Sequence, residues 1–237
     1  MEKIRRVLLW LSVAALVLGA LPLYAISLYN HPYYDDYGFS AQAHQAWRDT
    51  GSVGAVLRAA WESAARTRQG WQGTYTGTLL SNVQPGIFSE QLYFIGTFVL
   101  LTAFIACFLY FFSVVMGRLG MDRTGRWTLG CLAVTLMIQF MPDAGEAFFW
   151  FNGGIGNTFI YSLMALAAAL MVRLAEAKGR AVGLTAALCL LMVLLGGGSY
   201  GGGLLSVCML AVCLVWMLRV RHPRRWRFAG LAALLLL

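Results

Sequence analysis

Two aspartates stand side by side in the run His31-Pro32-Tyr33-Tyr34-Asp35-Asp36-Tyr37-Gly38-Phe39-Ser40. A carboxylate held against a hydroxyl is a general base. Neighbours at i and i+1 point apart, so the pair suggests two jobs. One aspartate would take the proton of an acceptor hydroxyl, while the other orients it or helps hold a divalent cation. A plainer reading lets Asp36 cap a helix by accepting from free N–H groups. Capping explains one aspartate, not two set among aromatics. Further on, Trp71-Gln72-Gly73-Thr74-Tyr75-Thr76-Gly77-Thr78 mixes flat rings with polar side chains, as sugar binding requires. An interfacial aromatic belt would account for Trp71 and Tyr75 but less well for Gln72 and Thr74. A third cluster runs from Asp143 to Asn152. On a helix its Glu146 and Trp150 would share a face, and an ionisable group near membrane depth usually has a purpose. Asp143 reads more simply as a solvated charge.

The elements that must position these groups are apolar. Of 237 residues, 59% are hydrophobic and 12% charged, against roughly 25% charged in soluble domains. Apolar runs cover 7–28, 92–116, 127–141, 157–172, 182–198 and 203–218, and another begins at Phe228. Each of the first six can supply a transmembrane helix, which needs about 20 residues. Only helices satisfy their own backbone in lipid. The first run has the layout of a signal peptide, but its length and the spans after it favour an uncleaved helix. The last run, about ten residues or roughly 15 Å of helix, is too short to span, so a truncated seventh helix and a longer chain are expected. The expected fold is an all-α integral membrane protein, with 1–237 as a single transmembrane domain and 30–91 as its outer loop.

Net charge is +8, which suggests nucleic acid only when it gathers on a soluble domain. Here the basic residues lie in short clusters between spans. With the N-terminus in the cytoplasm, Lys3, Arg5, Arg6, Arg118, Arg123, Arg126, Arg173, Lys178, Arg180, Arg219, Arg221, Arg224, Arg225 and Arg227 all fall inside. That is fourteen of the 18 basic residues, the bias that sets orientation in membranes. A multi-pass protein of the inner or plasma membrane is expected, with no nucleic-acid partner.

The outer loop carries Val53, Val56, Leu57, Ala60, Trp61 and Ala64 at helical spacing, with a shorter stripe of Phe39, Ala43 and Trp47 before it. Both predict amphipathic helices along the membrane interface. The glycine tract 196–203 allows tight helix packing or a helix break, or phosphate contact with backbone N–H groups. The five cysteines lie in apolar runs as packing residues. The three histidines have no metal-ligand spacing, so no protein metal site is assigned.

A first span, an outer Tyr-Asp-Asp, interfacial helices and many later spans resemble the GT-C glycosyltransferases, in particular bacterial members of a poorly characterised branch. The resemblance is strongest at 31–40, 70–90 and 143–157, where Trp71-Gln72-Gly73 follows the aspartates and Glu146 to Trp150 precedes a later span. It implies a membrane transferase of the cell envelope that takes a sugar from a polyprenyl-phosphate carrier, usually with inversion, and passes it to a glycan, lipid or protein acceptor outside the cytoplasm. Asp35 or Asp36 would be the catalytic acid of the first outer loop. Tyr34, Trp71, Gln72, Glu146, Trp150 and Asn152 would hold sugar or acceptor. Family members often carry Arg just beyond the Trp-x-Gly glycine, where this chain has Thr74 and Tyr75, and some have Glu where this chain has the glycine tract. Phosphate recognition would then pass to Arg66 or Arg68, or to a divalent metal ion. The rival classes are a polytopic transporter or lipid-linked sugar flippase, and a noncatalytic assembly protein.

Overall fold

The computed structural model describes residues 2–236, and every regular element among them is a helix. Four helices are long and apolar enough to cross a membrane: Glu2–Ser27, Glu90–Arg118, Phe151–Glu176 and Tyr200–Arg219. The first, α1, has 26 residues, or about 39 Å at 1.5 Å per residue. Only 17% of the apolar stretch in each of the first two spans is buried within the protein. On α1, Leu8, Leu11, Leu18 and Leu21 face outward. A soluble protein would turn such residues inward; a lipid surround is the partner that suits them. The architecture is that of a multi-pass membrane protein.

Two apolar cores build the bundle. In one, α1 lies along α6 (Arg123–Gln139) and α5 (Phe94–Arg118) packs on both, around Leu16, Leu100, Val134 and Phe148. In the other, α8 (Ile160–Glu176), α9 (Val182–Gly196), α10 (Tyr200–Arg219) and α11 (Arg225–Leu235) enclose Ile160, Leu188, Leu210 and Phe228. Phe159 touches both. The basic turns gather at one end of the bundle. There Arg5 pairs with Asp122, Arg118 with Glu176 at 2.6 Å, and Arg224 donates to the carbonyls of Leu174, Ala177 and Gly179. Those two ion pairs are exposed and worth about 1 kcal/mol or less each. Their value lies in showing that these turns share one end.

The opposite end carries residues 30–91. Both amphipathic segments are helices, α2 (Asp36–Thr50) and α3 (Val53–Gly70). The apolar stripe of α3 is split, however. Val56, Ala60 and Ala64 are buried, while Val53, Leu57 and Trp61 are exposed. The buried half packs on α2, where Ala43, Val56 and Ile87 form a small core beside Trp47. A further helix, α4 (Tyr75–Asn82), follows, and its buried residues are Thr76, Gly77, Thr78, Ser81 and Asn82. No hydrophobic period announces it, because the face it buries is polar. It stands against the glycine tract: the N–H groups of Thr76 and Gly77 donate to Gly197 O at 2.7 and 3.0 Å. A Cβ on Gly77 would come within 2.7 Å of Gly198 O, and one on Gly197 within 2.3 Å of the Tyr75 ring. Close packing of α4 explains Gly197, and the Ile160 side chain of α8 presses on Gly198 and Gly202 in the same way.

Candidate functional site

The site is built on the turn before α2. Tyr34 has φ 52, a left-handed conformation costing a non-glycine residue roughly 1–2 kcal/mol. That turn sends the two carboxylates in different directions. Asp36 goes inward and is buried. Its Oδ2 accepts from the Tyr33 N–H at 3.1 Å and from the Tyr93 hydroxyl; its Oδ1 accepts from the Asn152 N–H at 3.0 Å. Tyr93 also accepts from the Phe151 N–H at 2.9 Å, and its hydroxyl lies 3.3 Å from the Phe149 carbonyl. Asp36 thus ties the start of α2 to Tyr93 and to the chain at 149–152. Burial pushes its carboxyl above the ordinary carboxylate range, opposed by the three donors. Neither aspartate caps α2 through its side chain: Asp35 occupies the cap position without such a bond, and Asp36 turns back to Tyr33.

Asp35 is half-buried. Its Oδ1 accepts from the Trp150 indole Nε1 at 3.1 Å, and Tyr34 meets the Trp150 ring edge-on, 5.9 Å between centroids. Trp150 is fixed where the chain changes pitch, between the wide turns Gly145–Phe149 and Ile155–Phe159. Turns of this i→i+5 kind recur at functional sites.

The two partners of this bond line different cavities. Asp35 lines one of about 260 Å³, with Trp71, Gln72, Thr78, Asn152 and Ser199. Trp150 lines the other, of about 550 Å³, with Tyr34, Asp143 and Glu146. The hydrogen bond between them joins the wall of one cavity to the wall of the next. Each is of a size to hold a small ligand or part of one. An apolar groove of about 440 Å³ lies on the other side of α4, between Trp61, Leu79 and Val193, with Arg68 at its edge. The Arg68 guanidinium sits over the Tyr75 ring, 5.4 Å from its centre, and the Tyr75 hydroxyl donates to Val193 O at 2.7 Å.

The residues singled out in the sequence therefore separate. Asp35, Trp71, Gln72 and Asn152 share the smaller cavity; Tyr34, Glu146 and Trp150 share the larger. Arg68 borders the groove, whereas Arg66 is exposed and donates to Gln42. Asp36 lines neither cavity. Among the described residues, no three His, Cys, Asp or Glu side chains gather as a metal site. The sequence gives no sign of Tyr93 or Ser81 as parts of the site, and shows Thr78 and Ser199 only as members of longer runs. Tyr93 sits where an apolar span begins and reads there as part of an aromatic belt; Ser81 carries no signal until α4 is seen to bury it. A scan of protein-family models, a search of curated proteins and a search of solved structures each returned no match.

Proposed function

We propose that this chain is a GT-C-type membrane glycosyltransferase that moves a sugar from a polyprenyl-phosphate carrier to a glycan, lipid or protein acceptor at the extracytoplasmic face. In this reading α1, α5, α6, the 151–176 helix, α9 and α10 make six complete transmembrane helices in the inner or plasma membrane. The basic end and the N-terminus lie in the cytoplasm, as the positive-inside rule requires. One observation carries the proposal. Asp35 is a partly open carboxylate on the wall of the smaller cavity, and Trp150, which steers it, lines the larger. A two-substrate transfer needs that arrangement: a base between the donor and the acceptor.

The sugar occupies the smaller cavity and the acceptor enters through the larger. Asp35 takes the proton of the acceptor hydroxyl as its oxygen attacks the anomeric carbon. The bond from that carbon to the phosphate oxygen breaks, and polyprenyl phosphate leaves with the electron pair. A single displacement inverts the anomeric centre. The phosphate is a fair leaving group and needs charge neutralisation more than a proton, which Arg68 can supply from the edge of the groove. The groove suits the first prenyl units.

The test uses the full protein in proteoliposomes, with a panel of polyprenyl-phosphate sugars and membrane acceptors. Release of polyprenyl phosphate coupled to acceptor glycosylation is expected. Movement of the intact lipid-linked sugar across the bilayer, with no release, would establish the flippase reading instead. If neither occurs, an assembly role becomes the better account.

A further inference from the structure

Resting on the transfer reading, we infer that the smaller cavity takes a single sugar ring without an acidic group, and that Thr78 is the residue that reads it. Thr78 is 2% exposed and lines the cavity, yet its hydroxyl has no hydrogen-bond partner. Buried hydroxyls are rarely left so. In a helix a threonine can turn its hydroxyl to the carbonyl one turn back or swing away from it, so one rotation brings Thr78 to a bound partner. One turn on, Asn82 is fully buried and its Oδ1 is also unpaired. Asn82 lies behind the cavity wall rather than on it, so the unused capacity that borders the cavity is that of Thr78.

The wall opposite is aromatic. Phe39 and Trp71 stack at 6.1 Å with an interplanar angle of 21°, which offers a flat apolar face for the C–H side of a ring. At about 260 Å³ the cavity falls below the roughly 300–1,000 Å³ of drug-sized sites, so its walls embrace about one ring and a second would lie outside them. Its lining includes one full charge, the Asp35 carboxylate, and no Lys, Arg or His. The amino end of α10 offers about half a positive charge, partly taken up where Ser199 Oγ accepts from the Gly202 N–H. A sugar carboxylate would therefore be repelled.

The experiment measures binding to the full protein in nanodiscs. The probes are farnesyl phosphate, its uncharged monosaccharide conjugates (glucose, mannose, galactose and arabinose), a glucuronate conjugate and a maltose conjugate. The best uncharged monosaccharide conjugate is expected to bind at least tenfold tighter than farnesyl phosphate, the glucuronate conjugate and the maltose conjugate. Thr78→Val should lose about tenfold for that conjugate alone, and Thr78→Ser should restore it. Loss of an unpaired hydroxyl leaves the fold intact, which equal melting temperatures would verify. Equal binding of the uncharged and acidic conjugates overturns the inference, as does a Thr78→Val variant that binds like the parent. If farnesyl phosphate binds but no sugar adds affinity, this inference fails alone; if no probe binds, the transfer reading fails with it.

Discussion

The surroundings of Asp36 and of Asp35 differ more than two adjacent residues usually do. Around Asp36 the structure is closed: two backbone N–H groups and a tyrosine hydroxyl converge on one carboxyl, and that tyrosine is itself bonded to the next strand of chain. Around Asp35 the structure is open: one bond from Trp150, a cavity on its flank, and an unpaired threonine hydroxyl across it. The closed region spends its hydrogen bonds on holding three segments together. The open region leaves the Thr78 hydroxyl unpaired and the Asp35 carboxylate with one side-chain bond. A site of this kind needs both, since an open carboxylate works only if a rigid neighbour holds it in place.

The largest effect expected from breaking this contrast is at Asp35. Asp35→Asn keeps the oxygen that Trp150 donates to but loses the base, so transfer should fall by about 10²–10⁴-fold with the melting temperature unchanged. At Asp36 the cost should appear in stability. Asp36→Ala leaves the N–H groups of Tyr33 and Asn152 without an acceptor, and at about 1 kcal/mol or more each chemical denaturation should register a loss of about 2 kcal/mol. Asp36→Asn is milder, about 1 kcal/mol. Its Oδ1 still serves Asn152, and the Tyr93 hydroxyl can turn to the Phe149 carbonyl, so chiefly the Tyr33 bond is lost. Trp150→Phe removes the donor that steers Asp35 while keeping a ring against Tyr34. A roughly tenfold fall in kcat, the size expected for one lost positioning bond, with little change in stability would place Trp150 with the open region. Smallest of all, Arg68→Gln should lower kcat severalfold, because the charge that Arg68 neutralises grows on the departing phosphate in the transition state. A raised KM with kcat unchanged would mean that Arg68 only binds the ground-state phosphate.

Much of the scaffold was legible in the sequence because lipid imposes a simple rule: apolar runs become helices, and helices stand at 2–27, 94–118, 182–196 and 200–219. The basic clusters also told true in one respect, since the turns bearing them share one end of the bundle. The acidic pair drew notice for its residue types, but its division of labour could not be read. What separates Asp36 from Asp35 is Tyr93, 57 residues away, and a backbone N–H at Asn152, and a backbone group leaves no trace in residue type. The same limit applied to α4. A helix that buries threonine, serine and asparagine has no hydrophobic period to betray it. Arg66 and Arg68 were indistinguishable as a pair in sequence; helix geometry turned one towards Gln42 and the other towards Tyr75 and the groove.

In the transfer reading Asp35 does the chemistry and Asp36 holds the structure. Its most direct test compares Asp35→Asn with Asp36→Asn in the full protein at matched expression, measuring sugar transfer per folded molecule and thermal stability together. Asp35→Asn is expected to be folded and inactive, and Asp36→Asn to be less stable but active wherever it remains folded. Wild-type transfer by Asp35→Asn, or a fully stable Asp36→Asn that transfers nothing, would contradict that reading.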